Sequence, residues 1–191
     1  MPARPNPAHS AWPIPCVPDA PAMVLSSNHR DHVAIVRADY ANKEHAAAVV
    51  AMLDSYARDP AGGATPLSEF ARSNLVAALA ARPNAYSVLA FDAAQPVGLV
   101  NCMEGFSTFA CRPLVNVHDV AVLASHRGMR IAERMLVVAE GLARDRGACK
   151  LTLEVLSGNT GANQLYARLG FVQYQLDPQM GSAMFLQKWL Q

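Results

Sequence analysis

The most confining feature of this sequence is an apolar run, LVNVHDVAVL at 114–123, followed by a helical pattern at 128–146 and a second apolar run, KLTLEVL at 150–156. In the middle segment Ile131, Met135, Val138 and Leu142 recur at helical spacing, and Gly147 stands where a helix end favours a left-handed residue. A strand, a helix and a strand in that order form a right-handed crossover within one sheet. A helix is thereby pressed onto a sheet face, which implies a mixed sheet with helices on its faces.

The other segments fit around that unit. VAIVRA at 33–38 alternates as a strand does. Residues 42–58 carry Ala48, Val49, Met52, Leu53 and Tyr56 at helical spacing, opened by Asn42 as a cap. DPAGGATPLSE at 59–69 is a Gly/Pro loop, and a second helix follows with Phe70, Leu75, Ala78 and Leu79 on one stripe. YSVLAFD at 86–92 and PVGLVNCMEGF at 96–106 read as paired strands turning at 93–95. A short helix is expected at 160–169, ended by Gly170, with final strands at FVQYQL (171–176) and SAMFLQKWL (182–190). The expected order is β-α-α-β-β-β-α-β-α-β-β, with no internal repeat. Residues 1–30 hold seven prolines, which oppose helix and ladder alike, so they read as a flexible leader before a single domain at 31–191.

A chain of 191 residues with 52% apolar and 16% charged residues has the composition of a folded domain. Its net charge of +1 offers no clustered cationic surface for a nucleic-acid backbone or a membrane, and no apolar stretch approaches the length that spans a bilayer. Cys16, Cys102, Cys111 and Cys149 form no CxxC pair, so no metal is expected. With no apolar signal segment at the start, reduced thiols in a cytoplasm are the simplest reading.

The junction SHRGMRIAERML at 125–136 poses the functional question. A helix start leaves several backbone N–H groups free, and the dipole favours an anion there. Arg127 and Gly128 stand at the entrance, and Ala132 leaves the backbone approachable. Locally, an ordinary turn into a helix explains these residues as well as an anion cradle does. Further along, NTGANQLYARLGF at 159–171 adds a second motif. Together the two resemble the GNAT superfamily of acetyl-CoA-dependent N-acetyltransferases. The pyrophosphate loop Q/R-x-x-G-x-G/A appears as Arg127, Gly128, Met129, Arg130, Ile131 and Ala132, with Arg130 in place of the middle glycine and expected to take helical angles. The later signature appears as Asn159, Ala162, Tyr166 and Gly170-Phe171, and the resemblance runs from about 33 to 190.

That resemblance implies an α/β (α+β) fold whose mixed, largely antiparallel sheet splays between two strands, with helices on both faces. It implies acetyl-CoA as cosubstrate and no metal. Backbone amides from Gly128 to Ala132 would hold the pyrophosphate, and main-chain groups of Val120, Ala121 and Val122 would hold the pantetheine arm. Asn159 would bond the pantetheine, cap its own helix, or both. Tyr166 would be the general acid. His118 reads either as a base, directly or through water, or as a structural histidine. Strand alternation puts it with Val120 and Val122, and Asp119 on the opposite face, unless a bulge intervenes. The run FSTFACRPLVNVHDVAV also resembles the polyamine and thialysine branch, where a glutamate matches His118. Tyr56, Asp59, Gly62-Gly63, Glu104, Phe106 and Phe109 are candidates for an acceptor rim. Cys102 and Cys149 read as buried, inert thiols. The expected function is acetyl transfer to a primary amine of a small molecule by direct attack. The alternative is a non-catalytic acyl-CoA-binding sensor or partner-binding module. An apolar last strand ending Trp189-Leu190 suggests an edge for a homodimer.

Overall fold

The structure is a computed structural model that describes residues 32–174, 179, 181 and 183–190. The expected leader at 1–30 lies outside them. The elements are β1 (Val33–Arg37), α1 (Lys43–Arg58), a 3-10 turn (Pro60–Gly62), α2 (Glu69–Ala80), β2 (Ala85–Asp92), β3 (Gln95–Ser107), β4 (Arg112–Val122), a second 3-10 turn (Ala124–His126), α3 (Ile131–Asp145), β5 (Leu151–Leu153) and α4 (Thr160–Arg168). The five strands form one sheet in chain order, antiparallel from β1 to β4, with β5 parallel to β4. That parallel pair and α3 are the crossover expected from 114–156. The Asn42 side chain accepts from Glu44 and His45 N–H, as expected of a cap, and Ser68 is a further cap, opening α2 through Ala71 N–H.

The sheet is covered on both faces. Val88, Val100, Val115 and Val117 pack with Ile131, Met135 and Ala139 of α3. Leu89, Leu99 and Ala121 pack with Val49 and Met52 of α1 and Leu79 of α2. Cover on both sides explains why β2 is a continuous buried run and not an alternating one. Its buried Ser87 is satisfied by Tyr40 Oη at 2.8 Å and Asn101 Oδ1 at 2.6 Å, and Asn101 Nδ2 donates to Asp119 Oδ2 at 2.9 Å.

Three expectations need correction. In α2 the inward residues are Leu75, Val76 and Leu79, while Phe70 and Ala78 are exposed; the stripe runs through Val76, which completes the i, i+3 pair with Leu79. Helix α3 starts at Ile131, not 128, because Gly128 (φ +79°) and Arg130 (φ +61°) are left-handed. Residues 171–174 and 183–190 form no strand. Their alternation resembles a strand, but a strand also needs a partner ladder, and they have none among the described residues. Residues 175, 176 and 182 of those two runs lie outside the described set. Trp189 and Leu190 are exposed and form no sheet edge, so the structural basis for expecting dimer pairing there is absent.

Candidate active site

The site is a cleft of about 1320 Å³ that opens where β4 and β5 part. Strand β4 pairs with β3 along nearly its whole length, but with β5 only from Val115 opposite Leu151 to Val117 opposite Leu153. Past Val117 its outer edge has no strand beside it among the described residues. Leu123 N–H donates to Val97 O at 3.0 Å, so alternation turns the main chain of Ala121 toward β3 and leaves that of Val120 and Val122 facing the gap. The Val122 carbonyl accepts from Arg127 Nε at 3.3 Å on that side. Of the three residues expected to hold a ligand through main chain, Val120 and Val122 turn theirs to the gap and Ala121 turns its own to β3.

A bulge reassigns His118. Asn101 stands opposite Asp119 and Cys102 opposite Val117, so His118 is the extra residue. Val117 and Val120 therefore both pack against the α3-side core, although three positions apart. Parity then places His118 and Asp119 together on the α1 face, correcting the expectation that His118 shares a face with Val120 and Val122. His118 is exposed and lines the cleft, and its side chain makes no hydrogen bond among the described residues. Asp119 is held by Asn101, whose Nδ2 donates to it.

At the foot of the cleft lies the junction into α3. Arg134 N–H is the first to find a carbonyl across the helix start, that of Arg130. Among the described residues, no backbone N–H from Gly128 through Glu133 has an acceptor. The side chains of Met129 and Ile131 pack into the core, so these residues offer only their amides. Arg130 is the helix cap, but in left-handed angles and not the helical ones expected of it. Its αL backbone, like that of Gly128, turns the chain before the helix, a conformation of the kind in which successive N–H groups form an anion-binding concavity. Its guanidinium folds back on Glu133, at 3.1 Å from Oε2 and 2.5 Å from Oε1, instead of reaching into the cradle. That bond holds the Glu133 carboxyl below its ordinary range.

The opposite wall is the end of α1. Asp59 closes α1 and opens the 3-10 turn, with Oδ1 accepting from Ala61 N–H at 2.9 Å. Gly62 is required there, since a Cβ would come within 2.0 Å of the Tyr56 carbonyl oxygen. Asp59 Oδ2 takes the Arg127 guanidinium at 2.7 Å, and this bond lowers the Asp59 pKa. Tyr56 lines the cleft beside it, its pKa raised first by burial and then by the charges of Asp119 and Asp59.

Helix α4 closes the far side. Tyr166 lines the cleft, its ring edge-on to Phe171 at 5.8 Å. Burial, with a smaller contribution from Tyr56, pushes its phenol up to about 12, so it stays protonated. Asn159 caps α4 through Ala162 N–H at 3.2 Å and also lines the cleft.

The sequence reading missed Glu154, which lines the same cleft with its carboxylate oxygens 3.2 and 3.1 Å from Asn116 Nδ2. The one charge within LTLEVL was the available signal. Glu104, Phe106 and Phe109 do not join the acceptor rim. Glu104 pairs with Arg146 at 3.1 Å, beyond the C-terminus of α3 and so at the end of that helix away from the cradle. Cys102 is buried and its thiol is pushed up to about 12 by that burial, whereas Cys149 is only partly covered. No group of three or more His, Cys, Asp or Glu placed to hold a metal occurs among the described residues. Nor is any described helix long and apolar enough to cross a membrane.

Comparison with known proteins gives these features a context. The family model described as acetyltransferase (GNAT) family matches residues 49–171. A streptothricin acetyltransferase of Streptomyces lavendulae is 34% identical over 84 residues, which is 42% of this chain and 44% of that protein; the match thus spans less than half of the relative's length. A crystal structure of a probable acetyltransferase superposes with TM-score 0.69 at 21% identity, covering 83% of this chain and 99% of the other. An aminoglycoside acetyltransferase from an uncultured soil metagenomic sample, solved with sisomicin, superposes with TM-score 0.66 at 12% identity, covering 84% and 98%. At these identities the two structures speak for the fold alone.

Proposed function

Because the chain belongs to the acetyltransferase (GNAT) family, we propose that it is an N-acetyltransferase that moves an acetyl group from acetyl-CoA to a primary amine of a small molecule by direct attack. The observation that carries this reading is the run of acceptor-free N–H groups from Gly128 to Glu133, at the foot of the same cleft that Tyr166 lines. Such a run fits a diphosphate, because it offers converging donors and the positive end of the α3 dipole. When bound, acetyl-CoA supplies the activated acetyl thioester.

The chain's own residues divide the work. Gly128 to Glu133 hold the diphosphate through their amides, with Arg127 beside them. Val120 and Val122 present main-chain groups to the pantetheine arm, and the Val120 N–H polarises the acyl carbonyl. His118 accepts a proton from the amine, directly or through water, so that the nitrogen attacks as a neutral group. Tyr166, with its raised pKa, gives its proton to the departing sulfur. Asn159 keeps α4, and with it Tyr166, in place. A small cationic acceptor is supported by the acids around the cleft, Asp59 and Glu154, and by the streptothricin acetyltransferase that the chain resembles.

The test is a panel of small primary amines assayed for thiol release from acetyl-CoA, beside a calorimetric titration of the cosubstrate. Binding with transfer to at least one amine supports the reading. Binding with no transfer to any amine favours an acyl-CoA sensor on the same fold.

A further inference from the structure

Arg127 and Asp59 stand 68 positions apart in the chain and meet at 2.7 Å across the cleft. One belongs to the loop that presents the cradle, the other to the turn that ends α1. We propose that this ion pair straps the unliganded cleft, that Arg127 exchanges Asp59 for the coenzyme's diphosphate, and that the carboxylate so released becomes an anionic contact for the acceptor's ammonium. The inference rests on the acetyltransferase reading above.

Several observations converge on it. Arg127 directly precedes Gly128, the first residue of the acceptor-free N–H run, so its guanidinium and those amides serve one locality. A guanidinium has five N–H groups. Here Nε is spent on Val122 O and one terminal nitrogen on Asp59, so an incoming diphosphate can engage the remaining N–H groups first and then displace the carboxylate. The pair is also easily exchanged: the Arg127 side chain is 57% exposed and that of Asp59 23% exposed, and such pairs hold weakly against a more highly charged competitor.

Asp59 does not depend on Arg127 for its position. Its Oδ1 accepts from Ala61 N–H, its carbonyl accepts from Gly62 at 2.8 Å and Ala64 at 3.1 Å, and its N–H donates to Tyr56 O at 2.9 Å. Loss of the guanidinium therefore leaves a fixed carboxylate on the wall that also carries Tyr56. While Arg127 is paired, that charge is neutralised, and an ammonium gains little from approaching it. Exchange makes the acceptor wall anionic only once the cosubstrate is in place, so the cosubstrate binds before the amine.

The experiment is Asp59→Asn, whose amide oxygen can still cap Ala61 while the charge is removed. Calorimetry would use coenzyme A and, as a phosphate-free probe, pantetheine; steady-state kinetics would use the best amine, and a thermal melt would verify folding. The strap predicts effects of opposite sign. Coenzyme A should bind about three- to tenfold tighter, less so at high salt, because Arg127 no longer has a competitor. Pantetheine binding should not change, and the amine KM should rise by a larger factor than kcat falls. Arg127→Met should weaken coenzyme A, and adding Asp59→Asn to it should restore nothing. A merely structural Asp59 would weaken both ligands together, and that result, or unchanged coenzyme A affinity in Asp59→Asn, overturns the strap while the acetyltransferase reading stands. If the wild type binds neither coenzyme A nor acetyl-CoA, the reading itself falls and the strap with it.

Discussion

Tyr166 shows how a side chain's surroundings decide its chemistry. Burial holds its proton well past the range of an exposed phenol, so it is an acid in reserve at neutral pH. Tyr166→Phe should lower kcat by about a hundredfold, within the usual span for a lost general acid, and leave coenzyme A affinity unchanged. Stopped assays paired with calorimetry would detect either departure. Arg130 carries the opposite lesson. A residue with a Cβ in left-handed angles costs about 1–2 kcal/mol, and the exposed Glu133 pair returns little of it. Arg130→Gly relieves that cost but loosens the unfolded chain, so a net gain of up to about 1 kcal/mol is expected from denaturant melts. Arg127 to Ala132, Asn159 and Tyr166 were legible in sequence because they fall within two spaced motifs, whereas Glu154 lies outside both. The direction each faces was not. His118 changed faces because one extra residue in β4 resets the alternation, and nothing in VNVHDVAV announces a bulge.

Elements were easiest to read where local signals agreed. Helix α1 has its Asn42 cap, helical spacing and an arginine in its last turn, and it forms within a residue of the expected bounds. The β2–β3 hairpin turns over Ala93 and Ala94, since Asp92 pairs with Gln95. The C-terminal runs were misread because alternation records which residues are apolar and not whether a partner strand lies alongside. Among the connections, the turn after α1 is the least tolerant. Gly62→Ala would drive a methyl group into the Tyr56 carbonyl, and the backbone must move to admit it. A loss of about 1–3 kcal/mol in unfolding free energy is expected, typical of overpacking. The same shift displaces Asp59 and Tyr56, so the amine KM should rise in the surviving folded enzyme. Asp59 and Arg127 themselves could not be paired from sequence, because they meet only when the sheet brings the ends of α1 and β4 together.

For the whole molecule, two covered sheet faces imply a particular pH response. Tyr86 and Tyr166 are phenols raised by burial, and Cys102 is a thiol pushed up to about 12 the same way. In the unfolded chain these groups lose their protons near 9 to 10, before the folded chain does. Between that point and about pH 12 the folded state binds more protons, so the stability they contribute is complete below about pH 9 and declines as pH rises. Thermal melts from pH 8 to 11 should show a falling midpoint, and Cys102→Ala in the buried sheet should flatten the lower part of that fall.

In the proposed function the start of α3 holds an anion through its backbone. Ala132 lines the cleft within the acceptor-free N–H run, and an acid in a helix's first turn favours the helix. The decisive experiment titrates coenzyme A into the wild type and into Ala132→Asp, with a melt of each. If the helix start holds the diphosphate, the variant loses coenzyme A binding while its melting temperature holds or rises. Binding as tight as in the wild type would rule the cradle out.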